Sequence, residues 1–317
     1  MNTTASPCRL ASSITKAASQ QTYYTIRFLV DRQRVTDAYR AYAYFRWVDD
    51  TLDGGSLALS GVAPVAQRSA FLERQKSLLE KCYRGESFPD ATAEEEILVD
   101  LVRHDHEKNS GLQCYLRNMM QVMDFDAKRR GRLISQFELN EYTYWLASAV
   151  TESMHYFIGH GRSSPHDETR YLAVTAAHIT HMLRDTYDDM QAGYYNIPRE
   201  VLEANHIQPY DIHSKGYQRW VQSRVNLAQQ YFQAGRRYLD RVEEPRCRLA
   251  GLAYTARFEW VLDTIQQEGY SLRPEYNERK GFGAGVQMGL LTLSAIMNWG
   301  ELKSMPQPII SQPLRKL

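Results

Sequence analysis

Cysteine is scarce. The 317 residues hold four, Cys8, Cys82, Cys114 and Cys247, at spacings that suggest neither disulfide pairs nor a zinc site. This argues against a disulfide framework and fits a reducing, cytoplasmic compartment. There is no apolar run of about eighteen residues, so no transmembrane helix is expected. The first stretch, MNTTASPCRLASSITKAASQ, lacks the apolar region of a secretory signal. A net charge of +1 gives no general attraction to nucleic acid. Neither a Walker-type glycine loop nor a GxGxxG after a strand is present, which argues against a nucleotide fold. Alternating β-branched runs are scarce too.

What is there is helical. Apolar spacing predicts a helix over 33–53, stopped by Gly54-Gly55, and others over 64–84, 93–107, 110–124, 136–158, 167–190, 216–241, 246–269 and 279–300. The breaks carry Gly, Pro, Ser or Asp, as in GESFPDAT and GHGRSSPHDE. Connections are short and no linker separates two composition regimes. The expectation is one all-α domain over 1–302, with a loosely attached tail over 303–317. A hydrophobic fraction of 43% is enough for a core, and 21 tyrosines suggest an aromatic-lined pocket.

Two stretches carry paired carboxylates. In RWVDDTLD, Asp49 and Asp53 are four apart, with Asp50 between them, Arg46 one turn before and Tyr42 one turn earlier. In HITHMLRDTYDD, Asp185 and Asp189 repeat the spacing, with Arg184 and Asp188 alongside and His178 and His181 upstream. On a helix such pairs share a face and repel. Each run alone is as well read as a solvated face with local ion pairs. Two of them, each flanked by an arginine and apolar residues, point instead to carboxylates turned inward from helices. Carboxylates without cysteine suit a hard cation, and Mg²⁺ accepts a few of them plus phosphate oxygens. A Mg²⁺-dependent diphosphate site beside aromatic surface suits ionisation of an allylic diphosphate, where aromatic faces tolerate the carbocation.

At these residues the sequence resembles the squalene/phytoene synthase family, over roughly residues 19–282. AYRAYAYFRWVDDTLD is similar to the family's first aspartate-rich helix, and MLRDTYDDMQAGYYNIPRE to its second, including the exit Gly193 to Pro198. Tyr142 matches the tyrosine opening the central helix, Tyr23 an aromatic position near the N-terminus, and Arg273 a basic residue near the C-terminal end. The resemblance implies an isoprenoid-synthase-type helical bundle around a central cavity. It implies that Asp49, Asp53, Asp185 and Asp189 hold Mg²⁺ (Mn²⁺ as a substitute) and that Arg46 and Arg184 contact the diphosphates. It also implies farnesyl or geranylgeranyl diphosphate as substrate and coupling to a second prenyl unit. Whether NADPH is needed is left open.

The departures are as informative. His178 and His181 stand where the family usually has Gln and Asn. The central helix reads LASAVTES, with Ser148 and Thr151 at glycine positions and Glu152 next, and Phe258 replaces an expected tyrosine. The histidines are open to three readings: satisfied core groups, an active-site base or diphosphate contact, or a transition-metal site with Asp185. Glu152 reads as a surface residue or a buried base. The run Lys128-Arg129-Arg130-Gly131-Arg132 reads as a solvated interhelical loop, or as a contact to an anionic membrane, and His104 and His106 as an exposed helix end. Two other functions stay in play: a terpene cyclase or prenyltransferase to another acceptor on this fold, and a non-catalytic homologue.

Overall fold

A computed structural model describes residues 7–54 and 65–276. Among these residues twelve helices and no strand are found. They are α1 (Pro7–Ala18), α2 (Gln20–Leu29), α3 (Val35–Leu52), α4 (Val65–Tyr83), α5 (Glu95–Arg103), α6 (Gly111–Arg129), α7 (Gln136–Phe157), α8 (Leu172–Arg184), α9 (Thr186–Gln191), α10 (Arg199–Asn205), α11 (Lys215–Asp240) and α12 (Pro245–Gln267). The expected all-α class is what the chain adopts. The helix expected over 279–300 and the tail from 303 lie outside the described residues.

The chain divides into two compact units, one of residues up to Lys128 plus Glu152–Gly161, the other of Arg129–Thr151 and residues from Arg162 onward. In the first unit α3 packs on α1, α2 and α5, and α4 packs on α5. One face of α3 (Ala38, Ala41, Tyr44, Phe45, Val48) is buried, which leaves Arg46, Asp50 and Asp53 exposed on the other. Helices α1 and α2 fall where no helix was expected. Both are short, 12 and 10 residues, too short to be stable alone, and contact with α3 supplies the rest. Ser19 caps α2 by accepting from the Thr22 N–H at 3.2 Å. Below them, the buried carboxylate of Glu95 takes both arms of Arg74 at 2.7 Å and the Gln75 amide at 2.8 Å.

The core of the second unit is α8 against α11 and α12. Nine consecutive residues of α8, Leu172 to Thr180, are buried, as a helix covered on several sides requires. Helices α8 and α11 approach so closely that a Cβ on Gly235 would sit 2.6 Å from the Cβ of Ala173. Ser214 caps α11, and Pro245 opens α12 with its fixed φ in place.

The helix expected over 167–190 is interrupted. It starts at Leu172 and breaks at Asp185, whose φ and ψ are −94° and 9°. The hydroxyl of Thr186 donates back to the carbonyls of Met182 and Leu183, at 2.9 and 3.0 Å. Such back-bonding bends helices. The Asp189 N–H still donates to the Asp185 carbonyl at 2.8 Å, so the two aspartates keep a one-turn separation across the bend.

Candidate active site

The first acidic motif closes α3. Asp49 and Asp50 lie in the last turn and Asp53 is the C-cap, its N–H donating to the Asp49 carbonyl; Gly54 follows at φ 116°. Three carboxylates crowd the C-terminal end of a helix, where the backbone dipole already disfavours negative charge. Arg46 is the local counter-charge. It pairs with Asp50 and lies 3.4 Å from Asp49. It does not neutralise the group: burial and the Asp53 charge push the Asp49 carboxyl up to about 6 despite Arg46. Tyr42 is half-buried earlier on α3, and Tyr23 on α2 stacks on Tyr39 with centroids 5.2 Å apart.

The second motif treats its aspartates unequally. Burial would raise Asp185, but hydrogen bonds from Arg184 and His181 hold it well below the usual carboxylate range. Arg184 grips it in parallel, Nε to Oδ1 at 2.5 Å and a terminal nitrogen to Oδ2 at 2.7 Å, and His181 Nε2 approaches Oδ2 at 2.8 Å. Asp189 has no such pair of cations. Burial, with the nearby Asp185 charge, pushes it up to about 6, although the Asn196 amide opposes this from 2.6 Å. Asp188 is exposed.

The two histidines part company. His181 is exposed and paired with Asp185. His178 is 5% exposed, neither ring nitrogen has a hydrogen-bond partner, and its ring lies 5.1 Å from that of Tyr142. Burial first, then the positive groups His181, Arg129 and Arg224, push its pKa well below the ordinary value, so the imidazole is neutral. A satisfied core histidine is therefore not what position 178 holds. On the central helix α7, Ser148 and Thr151 are also buried with hydroxyl oxygens that lack partners. Phe258 is buried with its ring 6.2 Å from that of His181.

The basic run begins in the last turn of α6, and one member, Arg129, is interior rather than solvated. Arg129 is buried, stacked over the rings of Tyr142 and Tyr194 at 5.1 and 5.0 Å, and donates to the Asn196 side-chain oxygen at 2.8 Å. Gly131, at φ 78°, donates to the Gly193 carbonyl at 2.8 Å, Arg130 reaches the Ala192 carbonyl, and Arg132 pairs with Glu138. Two glycines at positive φ, one in each loop, are the sequence signal that these segments meet. Asn196 and Arg129 are functional candidates the sequence reading missed. Arg273, expected to bind substrate, pairs with Glu268. Glu152 is half-buried, and His104 caps the end of α5 near Asp37.

The donor set suits a divalent cation. Asp49 and Asp189 are partly buried carboxylates whose charge the protein leaves under-compensated, each beside a second carboxylate. Among the described residues no three His, Cys, Asp or Glu side chains gather into a ready cage.

Residues 15–280 match the squalene/phytoene synthase family. A phytoene synthase of Thermus thermophilus is 24% identical over 261 residues, covering 80% of this chain and 81% of its own. Among solved structures, a squalene synthase of Alicyclobacillus acidocaldarius superposes with a TM-score of 0.66 at 20% identity, over 84% of this chain and 95% of that one. A dehydrosqualene synthase bound to a ligand gives 0.67 at 17% identity, over 92% and 97%. The chain belongs to the squalene/phytoene synthase family, whose members are prenyl-transferring synthases.

Proposed function

We propose that this member of the family is a Mg²⁺-dependent synthase that ionises farnesyl or geranylgeranyl diphosphate and couples the resulting cation to a second prenyl unit. The observation that carries the reading is the pair of under-compensated carboxylates, Asp49 and Asp189, each beside a further aspartate of its own motif. Asp49, Asp50 and Asp53 would hold metal at one motif, and Asp185, Asp188 and Asp189 at the other. Bound Mg²⁺ supplies neutralisation of the departing diphosphate. Arg46 and Arg184, each already turned toward its aspartates, orient those carboxylates and offer remaining N–H donors to phosphate oxygens. Tyr142 presents a ring to the developing cation, and Tyr23, Tyr42 and Arg273 are assigned to substrate binding by resemblance. His178, with both ring nitrogens unbonded, has a lone pair for the proton that ends the reaction, as elimination to an alkene requires. The strongly acidic carbocation drives this transfer although burial disfavours the imidazolium.

A second reading has its own observation. The buried hydroxyls of Ser148 and Thr151 and the ring of His178 make this part of the second unit more polar than a hydrocarbon product needs. A cyclase, or a transferase to another acceptor, would use them. The test is product mass after incubation with each diphosphate singly, with and without NADPH. A doubled carbon skeleton supports coupling, and a single-substrate product supports the second reading. Asp49→Ala or Asp185→Ala is expected to abolish Mg²⁺-dependent diphosphate release; full turnover in either would sink the metal assignment.

A further inference from the structure

Arg129 meets three things at once, and all lie in the second unit. Its terminal nitrogen donates to Asn196 Oδ1 at 2.8 Å, and Asn196 Nδ2 donates to Asp189 Oδ2 at 2.6 Å. Its guanidinium carbon lies 5.1 and 5.0 Å from the ring centroids of Tyr142 and Tyr194. Tyr142 in turn packs against His178. Arg129 is 6% and Asn196 5% exposed, so neither finds bulk water as a substitute partner.

The chemistry of this chain has a direction. A guanidinium only donates, so Asn196 must face it with its carbonyl oxygen. The amide NH₂ is thereby turned toward Asp189, where it occupies one carboxylate oxygen. Without Arg129, the Asn196 side chain can rotate and present its oxygen to the carboxylate, which repels it. On its other side the same guanidinium lies over the Tyr142 ring, which packs tilted at 57° against the imidazole of His178.

We infer that Arg129 is the positioning residue of the second acidic motif. Through Asn196 it fixes the Asp189 carboxylate with Oδ2 committed, so that Oδ1 would be the oxygen left for a cation, and through Tyr142 it fixes the ring beside His178. The assignment rests on the Mg²⁺–diphosphate reading above, and extends it to two residues that carry no carboxylate. Arginine suits the role better than lysine, because an ammonium can donate to Asn196 but offers no planar face to the two rings near it.

The test is thermal denaturation of the whole protein titrated with Mg²⁺ in the presence of inorganic diphosphate, so no turnover is needed. Wild type, R129K, R129A, N196A and the R129A/N196A double variant are compared. The Mg²⁺ concentration giving half the melting-temperature shift is expected to rise about tenfold in R129A and in N196A, with no further rise in the double variant. R129K is expected to stay within about threefold of wild type on this measure, since the donor to Asn196 survives. A purely structural arginine would lower the metal-free melting temperature and leave the Mg²⁺ midpoint where it is, and that result overturns the inference. So do additive midpoint shifts in the double variant. A wild type that gives no shift at all overturns the metal reading itself, which a normal wild-type titration with unchanged variants would leave standing. Should R129A fail to fold, N196A and R129K decide by the same midpoint.

Discussion

His178 lies with its ring 5.1 Å from that of Tyr142, and neither of its nitrogens meets a donor or an acceptor. A polar ring kept bare in a protein interior costs about 1–3 kcal/mol of stability. Its neutral state also makes folding pH-dependent. The folded pKa lies below the unfolded value, so only the unfolded chain takes up a proton as pH falls below about 6.5, and stability is lost there. The loss is under way by pH 5.5. His178→Leu is expected to raise stability at pH 7.5 and to remove this part of the acid loss. Urea unfolding at the two pH values measures both effects, and equal slopes in the two proteins would contradict the assignment.

Asp49 and Asp189 are expected to trade stability for function. Each has a carboxyl pushed up to about 6, so ionisation at neutral pH opposes folding of the metal-free protein and protonation on lowering the pH relieves it. Asp49→Asn should raise the metal-free melting temperature by a few degrees, about 1 kcal/mol once solvent screening of this half-exposed side chain is discounted. It should also lose diphosphate release. For wild type, the stabilisation by Mg²⁺ should shrink between pH 7.5 and pH 5. A lowered melting temperature in Asp49→Asn would contradict this account.

Gly235 is where α8 and α11 touch. Gly235→Ala places a methyl 2.6 Å from the Ala173 Cβ and 2.7 Å from its backbone nitrogen, and backbone cannot swing aside. A loss of about 1–3 kcal/mol is expected from overpacking. Chemical denaturation measures it, and a neutral result would show that the two helices can separate freely.

In the first unit, Glu95 is 1% exposed and carries Arg74, Gln75 and the Thr92 N–H. Burial alone would raise its pKa, but the Arg74 bond and its other donors hold it below the ordinary value. Its contribution is therefore present at neutral pH and lost as pH falls through the carboxylate range. Glu95→Ala should cost about 2–3 kcal/mol, at the low end for a broken pair because Arg74 is 41% exposed. The same denaturation measurement at pH 7 checks it.

Much of this was legible in residue spacing. Asp49 and Asp53 fall at the end of a helix because Gly54 follows them, and Gly54 adopts the positive φ that a stop requires. The longer helices announce themselves by their length between Gly, Pro, Ser and Asp breaks. Helices α1 and α2 were missed because each is short, 12 and 10 residues, and is held by packing on α3. The bend at Asp185 was hidden because a threonine bonding back to its own helix leaves no periodic trace. Arg129 was hidden for a different reason. A run of four basic residues reads as surface, and only the aromatic rings of Tyr142 and Tyr194, distant in sequence, make one of them interior.

The bend at Asp185 has a mechanical consequence. Above it, Asp185 is steered by His181 and Arg184, both on α8. Below it, Asp189 is steered by Asn196, beyond the end of α9. A motif that looks like one unit of sequence thus hangs from two independent mounts. Substitutions in either mount can drift without dragging the other, so a lineage can retune one carboxylate at a time while its partner stays on station.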